Sequence, residues 1–160
     1  MLIHGAAGGV GVFAVQLARW RGARVTGTAS AANLDFVGGL GADAVIDYRA
    51  ERFEDVVRDM DVVFDTVGGE TLERSWGVLK PGGRMVTIAA SGERTADERT
   101  RAAFFIVEPN RLQLAAITRL IEGGVIRPIV GAVSPLADAR QAYRHKPAHG
   151  KAVLQVIPAR

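Results

Sequence analysis

The sequence predicts a doubly wound α/β fold, in which helices cover both faces of a six-stranded parallel sheet. Short β-like runs alternate with helical patterns through the first 124 residues, and a glycine-rich loop separates the first strand from the first helix. Apolar residues make up 48% of the 160-residue chain, which is enough for the core that such a sheet requires. These observations together predict a Rossmann-type domain.

Six strands are expected where β-branched and other apolar residues cluster, at residues 1–4, 24–28, 44–46, 61–65, 84–89 and 104–107. Helices are expected where apolar residues recur every three or four positions, at residues 10–21, 34–40, 69–79 and 110–121. Residues 81–83, Pro-Gly-Gly, predict a turn, and the polar residues 91–101 predict a loop. Strands joined in this way predict the order 3-2-1-4-5-6.

The last part of the chain contains more secondary structure than the six-stranded sheet needs. A β-like run at 125–133 is followed by a helix that Ser134 and Pro135 would open, and a second β-like run covers 152–157. We therefore divide the chain into a dinucleotide-binding domain, residues 1–124, and a C-terminal strand-helix-strand tail, residues 125–160.

Composition and charge exclude several classes of function. The net charge is only +3, and the basic residues are scattered without interleaved aromatic residues, which argues against a nucleic-acid partner. The chain has no cysteine, so it can form no disulfide and offers no thiolate to zinc. No apolar run approaches the roughly 18 residues of a membrane span, and no charged leader region follows Met1. We expect a cytoplasmic protein with no membrane partner.

The titratable residues in the strands do not predict a metal or catalytic site. His4 lies in the first strand, while His145 and His149 lie near the C-terminus without acidic neighbours. Packing or surface positions explain them more simply, so no metal is expected in this chain. Asp65 ends a buried strand, where we expect it to hold backbone groups of the next loop rather than to face cofactor phosphates.

The glycine-rich loop, residues 5–11, carries the clearest functional pattern. Its spacing, Gly-x-x-Gly-x-x-Gly, is a variant of the dinucleotide fingerprint and lies between a strand and a helix, as that fingerprint requires. Backbone N–H groups at a helix N-terminus bind a diphosphate, and a Cβ atom in the turn would block its approach; an ordinary glycine turn is the alternative. The residues expected to hold the pyrophosphate are Gly8, Gly9, Val10 and Gly11, and Ala7 of the same loop is also expected to bind the cofactor.

The end of the second strand indicates which pyridine nucleotide is bound. NAD sites usually place an acidic residue about 20 residues after the glycines, where it binds the ribose 2′-hydroxyl. Here the first acid after the strand is Asp35. Ser30 and Asn33 can donate hydrogen bonds to a 2′-phosphate, which favours NADPH over NADH. The alternative is that Ser30 only caps the next helix.

Five motifs occur in a fixed order along nearly the whole chain, at residues 4–11 (HGAAGGVG), 41–49 (GADAVIDYR), 63–69 (VFDTVGG), 79–84 (LKPGGR) and 150–154 (GKAVL). Together they resemble the quinone oxidoreductase-like branch of the medium-chain dehydrogenase/reductase family, often labelled zinc-binding dehydrogenases. The resemblance implies a parent enzyme that transfers hydride from NADPH to quinones, enones or similar carbonyl compounds.

The resemblance also implies roles for residues outside the glycine loop. Tyr48 corresponds to a tyrosine that lies against the 2′-phosphate, with a half-buried aromatic residue at a strand end as the alternative. Asn33 stands where some members have lysine, and Lys146 corresponds to a basic phosphate contact. The residues implied beside the adenosine are Thr66, Val67 and Gly68. Those implied beside the nicotinamide are Ala89, Ala90, Phe105, Ile106 and Val107.

In that family a substrate domain precedes the glycine loop, and the chain returns to it at its end. The resemblance therefore implies that residues 125–160 pack on a domain absent from this sequence. We expect a shortened form, truncated or read from an internal start, with an incomplete active site and little activity. Exposed apolar residues of the tail predict self-association. The family's homodimer forms through the sixth strand, here Phe104 to Val107.

Two other functions stay open from the sequence. One is a nucleotide-binding module without catalytic activity. The other is a short-chain-type reductase, although neither Tyr48 nor Tyr143 is followed by lysine at the spacing that such enzymes need. A methyltransferase is disfavoured by the lack of an acid after the second strand. No catalytic residue is assigned, because the candidates would lie in the substrate domain.

Overall fold

The computed structural model describes residues 1–89, 95–104, 106–145 and 147–157. Within these ranges the strands are β1 (Leu2–Ile3), β2 (Thr26–Ala29), β3 (Ala44–Asp47), β4 (Met60–Asp65), β5 (Leu79–Thr87), β6 (Val130–Pro135) and β7 (Lys151–Gln155). The α-helices are α1 (Gly11–Trp20), α2 (Leu34–Gly39), α3 (Phe53–Val56), α4 (Gly69–Ser75), α5 (Glu98–Ala103), α6 (Arg111–Glu122) and α7 (Ala139–Arg144).

The first five strands form one parallel sheet in the order β3-β2-β1-β4-β5. The short strand β1 is central, because Leu2 pairs with Thr26 of β2 on one side and with Val63 of β4 on the other. This arrangement confirms the α/β class and the predicted order of strands 1 to 5. Since the strands are parallel, the loops that follow β1, β2 and β4 lie side by side at one edge of the sheet.

The prediction of a sixth strand is wrong. Phe104 forms only an isolated parallel bridge with Thr87, which is the last residue of β5. β5 ends at Thr87, and Ile106 and Val107 belong to no strand. Phe105 lies outside the described residues, and Ile106 and Val107 are 68% and 73% exposed. Over the described residues, the main sheet has five strands rather than six.

Two connections also differ from their predictions. The turn expected at residues 81–83 lies inside β5, where the chain between Leu79 and Arg84 bulges out of register with β4. Helix α5 begins within the segment predicted as a loop, of which residues 91–94 lie outside the described part of the chain. The side chain of Asp97 caps this helix by accepting a hydrogen bond from the backbone N–H of Arg99 at 3.0 Å.

Two apolar clusters pack on the two faces of the main sheet. Helices α1 and α2 cover one cluster, which includes Ile3, Val15 and Val37. The other cluster includes Leu2 and Phe53, the first residue of α3. Leu2 and Ile3 are consecutive in β1 and therefore face opposite sides of the sheet, and both are fully buried. Their burial fixes the register of β1 and the point at which the glycine loop leaves the sheet.

The tail forms a separate two-stranded parallel sheet, in which Val133 of β6 pairs with Val153 of β7. Ser134 and Pro135 are the last residues of β6, and Pro135 also stands at the N-cap position of a 3₁₀ turn at Leu136–Asp138, without a side-chain capping bond. This turn leads into α7, so the helical segment predicted after Ser134 and Pro135 is present. Among the described residues, none of the helices has both the length and the apolar character needed to cross a membrane.

Gln16 of α1 contacts the segment just before β6. Its Nε2 donates to the carbonyl oxygen of Arg127 at 3.1 Å, and its Oε1 accepts from the backbone N–H of Arg127 at 2.9 Å. The neighbouring Ile126 is fully buried. These contacts place the tail beside the glycine loop, which directly precedes α1.

Candidate functional site

The glycine loop makes a tight turn between β1 and α1. Gly5 has a φ of +68°, in the left-handed region that favours glycine, and its carbonyl oxygen accepts a hydrogen bond from the N–H of Gly8 at 2.9 Å. The N–H of Ala6 donates to the carbonyl of Thr28 in β2 at 3.1 Å. The turn is thereby fixed both within itself and to the neighbouring strand.

Close packing requires glycine at two positions of this loop. A Cβ atom at Gly5 would collide with the side chain of Thr66, and one at Gly11 would collide with the carbonyl oxygen of Gly5 and the Cα of Ala6. At Gly9, by contrast, the nearest obstacle is the Nζ atom of Lys151, at 2.6 Å from the position of such a Cβ. The loop therefore contains glycines needed for packing and one whose surroundings are open apart from a lysine side chain.

Backbone donors of the loop are available to an anion. The N–H groups of Ala7, Gly9 and Val10 have no acceptor within the part of the chain that the structure describes. Gly8, Gly9 and Val10 are exposed. Free N–H groups just before a helix are a favourable environment for a phosphate, because the helix N-terminus carries partial positive charge.

The loop lies between two cavities. The larger, a cleft of about 660 Å³, opens where β1, β2 and β4 end. The smaller, of about 280 Å³, lies between the loop and the tail and is lined by Gly9 and Lys151 among others. The predicted site residues that line the larger cleft are Ala7, Gly8, Ser30, Asn33, Tyr48, Thr66 and Val67.

Polar groups occupy the rim of the large cleft after β2 and β3. The Nδ2 of Asn33 donates to the Oγ of Ser30 at 2.7 Å, while Ser30 makes no side-chain hydrogen bond to the helix that follows it. Capping therefore does not account for Ser30. Tyr48 is 55% exposed, and the guanidinium of Arg49 lies 5.6 Å from the centre of its ring. Asp35 is exposed and does not line the cleft.

His4 forms part of the floor of the cleft and is buried. Its Nε2 lies 2.9 Å from Ser75 Oγ, and its Nδ1 lies 3.1 Å from Thr28 Oγ1. Because the Ser75 hydroxyl donates to the carbonyl of Thr71 at 2.6 Å, Nε2 carries the proton and Nδ1 accepts from Thr28. Burial lowers the pKa of His4 to about 4, against the opposing charge of Asp65. His4 is therefore a neutral, hydrogen-bonded part of the packing.

Asp65 organises the loop after β4. Its carboxylate accepts hydrogen bonds from the N–H groups of Val67 and Gly68, both at 3.0 Å, and from Thr87 Oγ1 at 2.8 Å. Gly68 has a φ of +77°, and a Cβ there would be 3.1 Å from the Cβ of Ala89. The prediction that Asp65 holds backbone groups of the loop is confirmed.

Some predicted site residues lie away from the large cleft, and others lie outside the part of the chain that the structure describes. Val10 and Gly11 belong to the glycine loop but do not line the large cleft, and Ile106 and Val107 are exposed at the end of the main sheet. Gly68 and Ala89 lie together behind Thr66 and Val67 without lining the cleft themselves. The predicted residues that fall outside the described part of the chain are Ala90, Phe105 and Lys146.

Two basic residues near the loop and the cleft were not predicted as site residues. Lys151, the first residue of β7, has its ammonium group against Gly9. Arg52, just before α3, lines the large cleft beside Tyr48. The motif that contains Lys151 was recognised, but its place over the glycine loop arises only because β7 folds back beside α1. In the described ranges, no group of three or more His, Cys, Asp or Glu residues is positioned to hold a metal ion.

Comparison with known proteins gives consistent matches. Residues 40–154 match the family model described as zinc-binding dehydrogenase. The chain is 34% identical to the NADPH-dependent alkenal/one oxidoreductase, chloroplastic, of Arabidopsis thaliana, over 99% of this chain and 41% of that protein. It is 33% identical to the 2-methylene-furan-3-one reductase of Solanum lycopersicum, over 99% of this chain and 40% of that protein.

A solved structure agrees with these matches. The quinone oxidoreductase from Coxiella burnetii has a TM-score of 0.84 and 30% identity, over 98% of this chain and 52% of that one. The chain thus spans about half the length, or somewhat less, of the relatives that it matches. With the family model covering the chain from the end of α2 to the last strand, the protein belongs to the zinc-binding dehydrogenase family.

Proposed function

We propose that this chain is the NADPH-binding part of an oxidoreductase that transfers hydride to quinones, enones or similar carbonyl compounds. The observation that carries the proposal is the glycine loop, whose free N–H groups adjoin a cleft with Ser30, Asn33 and Tyr48 at its rim. A diphosphate needs donors of this kind, and a 2′-phosphate is favoured where hydroxyl and amide groups replace the acid of an NAD site.

We assign residues of this chain to each part of such a cofactor, and those that line the large cleft are Ala7, Gly8, Ser30, Asn33, Tyr48, Thr66 and Val67. The diphosphate is assigned to Ala7, Gly8, Gly9, Val10 and Gly11, with Lys151 as an additional cation. The 2′-phosphate is assigned to Ser30, Asn33 and Tyr48, and to Lys146. The adenosine is assigned to Thr66, Val67 and Gly68. The nicotinamide is assigned to Ala89, Ala90, Phe105, Ile106 and Val107.

The cofactor, when bound, supplies the hydride, so the protein has to bind and orient it. The names of the relatives above refer to alkenals, enones and quinones, which supports reduction of a conjugated C=C or C=O bond. Asp65 would act indirectly, by holding the loop that carries Val67 and Gly68. No residue of this chain is assigned as the catalytic acid.

We also propose the division into a dinucleotide-binding domain, residues 1–124, and a tail, residues 125–160, that packs on a substrate domain. The relatives are about twice as long as this chain, and apolar residues on both tail strands are exposed. A homodimer through residues 104–107 is part of the proposal, supported by the exposed Ile106 and Val107 beside the edge of β5. A cytoplasmic location is proposed from the cysteine-free sequence.

Titration calorimetry with NADPH and NADH tests the cofactor assignment. We expect NADPH to bind more tightly than NADH and to quench the tryptophan fluorescence of the chain. Absence of heat with both nucleotides would remove the whole proposal, and tighter binding of NADH would overturn the choice of NADPH. With a simple quinone added, little NADPH should be oxidised by this chain alone.

The alternative of a non-catalytic binding module can be separated by a fusion. The first half of the Coxiella burnetii quinone oxidoreductase, placed before residue 1, would supply the substrate domain. If the chain is the cofactor-binding part of a reductase, the fusion should oxidise NADPH with a quinone. If the chain is a non-catalytic module, the fusion should bind NADPH without oxidising it. Calorimetry on the fusion confirms that its nucleotide site has formed.

A further inference from the structure

A cluster of charged side chains lies beside the large cleft, on the segment that joins β3 to α3. Arg52 donates from Nε and Nη2 to Glu54 Oε1, at 3.0 and 2.7 Å. Arg74 of α4 donates from Nη1 to both carboxylate oxygens of Glu54, at 2.8 and 3.0 Å. Two guanidinium groups therefore share one carboxylate.

Arg74 is sufficient to neutralise Glu54. Both oxygens of the carboxylate accept from Arg74, and the guanidinium of Arg74 also lies over the ring of Phe53, 5.0 Å from its centre. Burial acts to raise the pKa of Glu54, but hydrogen bonds from its own backbone N–H, from Arg52 and from Arg74 outweigh burial and hold the pKa at about 2. Within this group of three, two guanidinium groups meet one carboxylate. The exposed carboxylate of Glu70 lies 3.8 Å from Arg74 Nε, and the charges of Asp55 and Glu70 also act on Arg52.

Arg52 can reach the solvent of the cleft. Its side chain is 67% exposed, it lines the cleft together with Ser30, Asn33 and Tyr48, and its Nη1 makes no hydrogen bond within the described residues. Glu51 lines the same cleft and is also exposed, and Arg74 lines it as well, so this wall carries one acid and two guanidinium groups, of which Arg52 is the more exposed. An exposed arginine is well suited to a phosphate because its planar fork of donors matches phosphate oxygens.

We propose that Arg52 is a specificity-determining residue that binds the 2′-phosphate of NADPH, with Glu54 and Arg74 holding its guanidinium at the rim of the cleft. This inference rests on the proposed function, since it requires a pyridine nucleotide in the cleft. It adds a cation on the β3 side of the site, opposite the Ser30–Asn33 pair on the β2 side. The two sides together would surround the phosphate with a guanidinium, a phenol, a hydroxyl and an amide.

The experiment compares NADPH and NADH, which differ only in the 2′-phosphate. Calorimetry is carried out on the 160-residue chain, on Arg52→Gln and on Arg58→Gln. We expect Arg52→Gln to weaken NADPH binding about tenfold while NADH binding changes less than about twofold, as for loss of one charge-assisted contact. Arg58 is exposed and does not line the cleft, so its variant should bind both nucleotides normally.

Each other outcome overturns the inference. If Arg52→Gln weakens the binding of NADPH and NADH by the same factor, the effect of Arg52 on the site is general. If it changes the affinity for neither nucleotide, Arg52 does not contact the phosphate. In both cases the ratio of the two affinities stays the same, and the inference is wrong. Arg52→Lys keeps the charge and should lose less NADPH affinity than Arg52→Gln; thermal unfolding checks that each variant folds. If the parent chain binds neither nucleotide, the proposed function fails as well; if it prefers NADPH and Arg52→Gln keeps that preference, only this inference fails.

Discussion

The ammonium group of Lys151 lies over Gly9 of the glycine loop, so that a Cβ atom at position 9 would stand 2.6 Å from Nζ. The two residues belong to different parts of the chain, β7 of the tail and the loop before α1. Their contact places a positive charge beside backbone N–H groups that have no acceptor among the described residues. A diphosphate on the loop would therefore meet both kinds of donor.

Gly9→Ala should weaken nucleotide binding without damaging the fold. Among the described residues, the only close obstacle to the new methyl group is the flexible end of Lys151, so we expect a loss of less than about 1 kcal/mol in the free energy of unfolding. The methyl group would, however, occupy the approach to the loop N–H groups, and NADPH affinity should fall about tenfold or more. Gly38→Ala is the control, because no described residue outside the backbone of its own helix comes within 4 Å of that Cβ. Calorimetry that finds equal affinities in the two variants would contradict the assignment of the loop.

Lys151→Gln should weaken NADPH and NADH by the same factor, because both nucleotides contain the diphosphate. We expect about a fivefold loss for an exposed charge-assisted contact, and the loss should shrink at high salt. Lys80→Gln is a matched control, since Lys80 pairs with Asp61 away from the glycine loop. A loss confined to NADPH would place Lys151 at the 2′-phosphate instead. For Arg52→Gln, by contrast, we expect a loss of NADPH affinity with little change in NADH affinity. The two variants therefore distinguish a contact with the diphosphate from a contact with the 2′-phosphate.

The parts of the fold that depend on local sequence were predicted well. The alternation of apolar runs gave five of the strands, and the glycine spacing located the loop before α1. The sixth strand was not predictable from the apolar run at residues 104–107, because pairing there depends on where β5 ends. Helix α5 was missed because its polar residues resemble a loop, although Asp97 caps it by a purely local hydrogen bond.

The candidate site was predicted only where its residues are close in sequence. The hydrogen bond between Asn33 and Ser30 joins residues three apart in sequence, on the loop after β2 where the sequence predicts a contact with the 2′-phosphate. Lys151 reaches Gly9 only through the fold of the tail, and Arg74 reaches Glu54 across 20 residues through the packing of α4. Spacing arguments cannot bring such residues together, because their proximity is a property of the tertiary structure.

The stability of the chain should fall as the pH decreases from 6.5 to about 4, because of His4. Its pKa is lowered by burial to about 4 in the folded chain, whereas the unfolded chain binds the proton near pH 6.5. The unfolded state therefore binds more protons in this window, so the stabilisation is complete above pH 6.5 and is lost as the pH falls to 4, by roughly 3 kcal/mol. Urea unfolding at a series of pH values measures this slope. His4→Gln should flatten it, and an unchanged slope in that variant would assign the effect to other groups.

Asp65→Asn should destabilise the chain by about 3 kcal/mol. The buried carboxylate accepts from the N–H groups of Val67 and Gly68 and from Thr87, and an amide nitrogen cannot replace an accepting oxygen at all of these positions. Asp47→Asn is the matched control, because Asp47 also ends a strand but, among the described residues, its carboxylate accepts only from the exposed N–H of Arg49 at 3.0 Å. The control should lose less than about 1 kcal/mol in urea unfolding. Similar losses in the two variants would contradict a special role for Asp65.

The chain should self-associate through its exposed apolar tail. Val156 and Ile157 are 70% and 76% exposed at the end of β7, and burial of such surface contributes about 25 cal/mol per Å². Sedimentation velocity should therefore show species heavier than the 17.0 kDa monomer as the concentration rises. Substitution of both residues by Asp should return the chain to a monomer, whereas Gln141→Asp, which adds charge at an exposed polar position of α7, should not. A monomer at all concentrations would mean that this surface does not drive association, and equal dissociation by Gln141→Asp would attribute association to charge rather than to apolar burial.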